Sequence, residues 1–132
     1  MPEPPVEVVR RILAAWNEGD LGVELFDPGV EMRQYQQVFD TAGEFHGHAG
    51  LAESARELFR GFRDIQWKPR EFIPAPGGRV VVPVSIHAIG RASGAPVHAE
   101  AVHLWTVRDG LAVRWTAYEE LDEARAAAGL EP

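Results

Sequence analysis

The residue with the most chemical promise in this sequence is His103, in the run VHLWTVRDG, with Trp105 close behind it and Trp115 beyond the next turn. An imidazole set in an apolar wall has its charged form disfavoured by desolvation. Such a ring stays neutral and is able to take or return a proton near neutral pH, which suits proton abstraction beside a carbonyl. The plainer alternative is a structural histidine that hydrogen-bonds within the wall. Trp16, Trp67, Trp105 and Trp115 are four large aromatics in a small domain, so some of them fill core. Trp105 and Trp115 share the face of His103 and read as pocket walls, suited to a flat or cyclic apolar ligand. Trp16 is a further candidate wall from the first helix.

Other polar residues rank lower. Gln34 offers a hydrogen bond to a ligand from the first strand, beside Met32 on the same face. Glu119 lies two residues beyond Ala117 and by alternation points to the same side, at the pocket mouth; a solvated strand-end glutamate is the simpler reading. His46 and His48 form an HGH pair before a helix, but no third ligand is evident, and catalytic zinc normally has three protein ligands. Capping or surface roles fit them better, so no metal is expected. His87 and Glu100 become cross-strand neighbours if Ser93-Gly94 makes a tight turn, on the face opposite His103. Glu119, Glu120, Asp122 and Glu123 fit the start of a helix, where the dipole favours acids. The sequence contains no cysteine, which excludes disulfides and thiolate chemistry.

Positioning these residues requires a definite set of elements. Val6, Val9, Ile12, Leu13 and Trp16 recur at spacings of three and four, so an amphipathic helix is predicted over 5–17, ended by Gly19. A short helical turn follows over 21–26, stopped by Pro28. Residues 30–36 alternate as a strand, with Val30, Met32 and Gln34 on one face. A polar, Gly-rich connection spans 40–50. A second helix covers 51–62, with Leu51, Ala55, Leu58, Phe59 and Phe62 as its buried stripe. Four strands follow over 65–73, 79–89, 97–107 and 111–119, separated by PAPGG, GRASGAP and RDG. A last helix runs over 122–128. Helices first and a meander of strands last indicate an α+β fold in one domain over 1–132.

The final hairpin fixes what surrounds His103. A two-residue Asp109-Gly110 turn pairs Thr106 with Val113 and His103 with Thr116. A three-residue loop, Arg108-Asp109-Gly110, instead pairs Val107 with Leu111. The second register gathers His103, Trp105, Val107, Leu111, Val113, Trp115 and Ala117 on one apolar face and is preferred for that reason.

The bulk composition limits the function classes. The net charge of −7 argues against nucleic-acid binding, which needs a basic stripe. The opening MPEPPVEVVRR has no apolar run, so neither a signal peptide nor a membrane anchor is expected, and a cytoplasmic location is. A chain of this length buries roughly two-thirds of its unfolded surface, enough for a core without staples.

The stretches AAWNEGDLG, FDPGVE, GHAGL and EAVHLWTVRDGLAVRWTAYEELDEARAAAGL, in this order, resemble the SnoaL-like polyketide cyclases. These sit in the nuclear transport factor 2-like superfamily, which also holds ketosteroid isomerase. The resemblance implies a cone-shaped roll: a strongly curved, mixed or antiparallel sheet wrapped around N-terminal helices and enclosing a pocket. It also implies a homodimer through the outer sheet face, where Val102 and Leu104 are apolar. The cyclases carry a His and an Asp across the last hairpin; the His matches His103, while the Asp position falls on Ala117. The isomerase base falls near Met32, where no carboxylate stands on the inner face. The expectation is a small-molecule pocket formed by Trp16, Met32, Gln34, Trp105, Trp115, Ala117 and Glu119. Within it a cofactor-free cyclase or isomerase would use His103 as acid or base; the alternative is a non-catalytic binding or dimerisation domain.

Overall fold

The computed structural model describes residues 3–34 and 43–130. Helix α1 spans Pro5–Asn17 and buries Val9, Ile12, Leu13 and Trp16 as the three-and-four spacing predicts, with Val8 buried beside them and Val6, expected on this face, only half-buried. Each fully buried aliphatic side chain of this kind stabilises the fold by about 1.5–3 kcal/mol. Pro5 opens the helix, where its missing N–H is one that has no helical acceptor in any case. The helical turn expected over 21–26 contracts to a 3₁₀ turn, Val23–Leu25.

Strand β1 spans Phe26–Gln34, starting before Pro28 and not after it. Proline is tolerated there because the β1 register shifts between Phe26 and Glu31, and an irregular stretch needs no ladder N–H from residue 28. The strand expected over 30–36 extends beyond Gln34 to residues 35 and 36, which lie outside the described residues. Strand β2, Gly43–His46, occupies part of the stretch read as a connection. It is a four-residue edge strand, mostly exposed, and carries no alternation to betray it. Helix α2 spans Gly47–Gly61. The single strand expected over 65–73 divides into β3, Phe62–Pro69, and β4, Ile73–Ala75. Both pair antiparallel with β5, Arg79–Gly90, one after the other along its edge. Strand β6 is Pro96–Arg108, β7 is Leu111–Tyr118, and helix α3 is Leu121–Ala127.

The sheet order is β2-β1-β7-β6-β5-β3, with β4 also on β5. The β1–β7 pair is parallel and the other pairs are antiparallel. This is the curved, mixed sheet of an α+β fold. Helix α1 packs on β3, β5, β6 and β7, and α2 on β1, β2 and β3. The main core lies between these helices and one face of the sheet, from Val9 and Ile12 to Val82, Val84, Trp105 and Ala112.

Helix α3 folds back over the other face. Its Ala124 and Ala128 form a second cluster with Val81, Val102 and Leu104. Those outer apolar positions are therefore already covered within the chain.

The last hairpin follows neither expected register over its whole length. Its tip is a two-residue turn with positive φ at both Asp109 (53°) and Gly110 (79°), the geometry that suits the twist of a hairpin. Arg108 pairs with Leu111 and Val107 with Ala112. The register then shifts by one residue, so that Thr106 pairs with Arg114, Trp105 with Trp115 and His103 with Ala117. A bulge of this kind inserts one unpaired residue and resets the alternation. Leu111 and Val113 consequently lie on the outer side with Leu104 and Thr106, not on the inner face, and Ala112 takes the core position. His103, Trp105, Trp115 and Ala117 remain together on the inner face.

Candidate functional site

A cavity of about 280 Å³ opens between α1, α2 and the inner face of the sheet. Its depth is lined by Trp16, Leu51, Trp67, Ile86, Trp115 and Ala117, with His103 as the polar group among them. The exposed lining residues, Gly19 and Asp20 after α1 and Arg56 and Phe59 of α2, mark its mouth.

Each wall is held by a specific contact. The Trp16 indole N–H donates to the Leu21 carbonyl at 3.0 Å, which ties the post-helix loop to the cavity wall. Asn17 grips the backbone of Trp67 on both sides: Oδ1 accepts from its N–H at 2.7 Å and Nδ2 donates to its carbonyl at 2.8 Å. Trp16 then contacts Trp67 and Trp115 with ring centroids 5.2 and 5.3 Å apart. Trp105 stacks on Trp115 at 5.4 Å with 15° between planes, because the two are direct cross-strand partners.

His103 is 1% exposed, with its ring edge-on to Trp115 at 5.2 Å and to Trp105 at 5.8 Å. Burial pushes its pKa down to about 3, since an imidazolium there would lose its hydration with no carboxylate opposite to compensate. Its Nδ1 is enclosed and has no hydrogen-bond partner among the described residues, and the same holds for Trp105 Nε1 and Trp115 Nε1. Leaving a buried polar group unpaired costs about 1–3 kcal/mol. Three unmet polar groups therefore sit on adjoining rings, those of His103 and Trp115 in the cavity wall and that of Trp105 behind it.

Of the residues singled out in the sequence, Trp16, His103, Trp115 and Ala117 line the cavity. Trp105 and Met32 are buried behind it, in the core. Gln34 pairs through its backbone with Ala117, and its side chain lies outside the described residues. Glu119 is exposed: β7 ends at Tyr118, so strand alternation no longer turns residue 119 inward. His46 ends β2 and is exposed, while His48 bonds the Phe26 carbonyl through Nε2 at 2.9 Å. His87 stands opposite His98, not Glu100, with the two rings stacked at 4.5 Å. Glu100 stands opposite Ser85 and accepts from its hydroxyl at 2.8 Å and from Arg70 Nη2 at 2.7 Å. The Ser85 hydrogen bond, followed by those from His98 and Arg70, holds the Glu100 carboxyl below the usual carboxylate range. Among the described residues, no group of three or more His, Cys, Asp or Glu side chains is placed to hold a metal. No helix among them is long and apolar enough to cross a membrane.

The contribution of α2 is what sequence reasoning missed. Of the expected buried stripe, Leu51 is core, while Ala55 and Leu58 are half-buried and Phe59 is exposed, and all four line the cavity. Arg56 and Ser54 flank that stripe. A small residue such as Ala55 within it is the one available sign that the stripe faces room and not packing.

A mixed sheet curved around two helices over an inner cavity defines the nuclear transport factor 2-like class. Within that class the chain belongs to the family described as SnoaL-like domain, whose model matches residues 9–115. Solved structures agree. A nuclear transport factor 2-like protein of unknown function from Burkholderia pseudomallei superposes with a TM-score of 0.79 at 22% identity, covering 96% of this chain and 98% of its own. TerC, co-crystallised with polyporic acid, gives 0.76 at 26% identity with coverage of 96% and 98%. The epoxide hydrolase/cyclase-like enzyme SalBIII gives 0.73 at 16% identity, covering 89% and 92%. No curated protein matches the sequence.

Proposed function

We propose that this chain binds one small, flat, largely apolar cyclic molecule in the cavity, with a carbonyl or hydroxyl of that molecule hydrogen-bonded to neutral His103. The observation that carries this reading is a single buried imidazole on the wall of an otherwise aromatic and aliphatic cavity. An apolar cavity of about 150 Å³ holds a benzene ring. The space here, about 280 Å³, suits a body of two fused rings. A neutral imidazole offers one donor and one acceptor. TerC, similar over nearly the whole chain, was crystallised with polyporic acid, which supports a cyclic ligand.

A second reading is a cofactor-free cyclase or isomerase in which His103 acts as acid or base on an apolar carbonyl compound. Its support is the position of His103 on the cavity wall. Against it stands the low basicity of the ring, since a general base works best with a pKa near the working pH. The cross-strand position from which a carboxylate would raise that basicity is Ala117.

Tryptophan fluorescence titrations with polyporic acid and 2-acetylnaphthalene test the first reading, and product analysis of the same mixtures tests the second. Saturable binding without consumption is the expected result. Consumption that disappears in His103→Phe supports the enzyme instead.

A further inference from the structure

We infer that the bound molecule carries an anionic group, a carboxylate or an acidic enol, and that Arg56 at the cavity mouth binds it. The inference rests on the cavity binding a cyclic ligand, as proposed above.

The depth of the cavity has little to offer a charge. Trp16, Leu51, Trp67, Ile86, Trp115 and Ala117 are apolar there, so a charged group on the ligand must point outward to the mouth. Besides His103, three polar side chains line the cavity. Ser54 is occupied, its hydroxyl donating to the Leu51 carbonyl at 2.9 Å. Asp20 is an exposed carboxylate whose Oδ1 accepts from the Gly22 N–H at 2.9 Å, and it has no donor to offer an anion. Arg56 is the third.

Arg56 differs from most arginines of the chain. Arg10, Arg11, Arg33, Arg63, Arg70 and Arg114 each form an ion pair with a carboxylate. Arg79 and Arg91 donate to the carbonyls of Ala128 and Phe59. Among the described residues Arg56 has no such partner, although acids outnumber bases by 20 to 13 in the sequence. Glu53, one turn earlier on α2, does not hold it, and Arg60 one turn later repels it. A guanidinium presents a planar fork of donors that matches a carboxylate.

Phe59 is the second unusual feature of the mouth. It is 42% exposed, one of two large hydrophobic side chains left so open among the described residues, and it lines the cavity one turn after Arg56. An exposed ring beside an unpaired cation at the opening of an apolar cavity fits a ligand whose ring body enters and whose anionic end stays at the rim.

The test compares 2-naphthoic acid with its methyl ester, which share a ring body and differ in charge. Binding is followed by tryptophan fluorescence at low ionic strength on wild type, Arg56→Gln and Arg56→Lys. The inference expects the acid to bind about three- to tenfold more tightly than the ester, a preference that shrinks with added salt. Arg56→Gln should weaken the acid far more than the ester and abolish the preference, while Arg56→Lys retains part of it. Equal binding of acid and ester by wild type overturns the inference and leaves the cavity reading standing. An equal loss of both ligands in Arg56→Gln also overturns it, because Arg56 would then shape the mouth without recognising charge. Failure of both ligands to bind wild type removes the cyclic-ligand reading itself, and this inference with it.

Discussion

His103 and Ala117 are direct cross-strand partners on β6 and β7, and both face the cavity. The pairing leaves the imidazole opposite a methyl group, with no carboxylate directly across the hairpin. It also explains why His103 stays neutral: burial disfavours its charge and nothing across the hairpin restores it.

Ala117→Asp should reverse that condition. A carboxylate opposite the ring raises the imidazole pKa from about 3, with about one to three units expected for a close opposite charge. Histidine NMR titration of the variant reads this directly. A lower melting temperature should accompany the change, because a carboxyl group replaces a 2% exposed methyl.

The neutral His103 makes stability depend on pH. Its folded pKa of about 3 lies below the ordinary value of 6.5, so between those limits the unfolded chain binds a proton that the folded chain does not. The contribution is fully present above 6.5 and is lost as the pH falls toward 3. Denaturation of wild type should weaken through this window by about 1.4 kcal/mol for each pH unit from this residue alone. His103→Phe should show a shallower slope between pH 5 and 6.5, where carboxylates contribute least.

Asn17 should matter to the site without touching a ligand. Asn17→Ala removes both hydrogen bonds to the Trp67 backbone. A loss of about 1–3 kcal/mol in urea denaturation is expected from two such bonds. Ligand affinity should fall with it, because Trp67 is a cavity wall that Asn17 holds in place.

Ala55→Trp should close the cavity from α2. Ala55 is half-buried and lines the opening, so a large ring there occupies ligand space while the helix tolerates it. Affinity for 2-acetylnaphthalene is expected to fall at least tenfold, about 1.4 kcal/mol. The melting temperature should stay within a few degrees of wild type. A variant that binds normally would place the ligand elsewhere.

Much of the frame is legible in the residue pattern. Helix α1 matches its expected span because five apolar residues at helical spacing leave no alternative. The long strands β5, β6 and β7 follow from sustained alternation and firm turn signals. The failures have physical causes. Strand β2 is too short and exposed to leave a pattern, and Pro28 reads as a stop although it sits in an irregular stretch of β1. The bulge between Thr106 and Val107 is set by how the two strands coil together, which no local residue signals. It sends Leu111 and Val113 to the outer face. The inner placement of His103 and Trp115 is legible, whereas the α2 side of the cavity is not. A helix stripe facing a void has the same spacing as one facing a core.

The most direct test follows the ring nitrogens of His103 by ¹⁵N NMR while 2-acetylnaphthalene is added at neutral pH. A saturable shift of the His103 nitrogen resonances is predicted, with the imidazole neutral throughout. Resonances of His103 that stay fixed at ligand saturation, or that move to imidazolium values, would contradict the account.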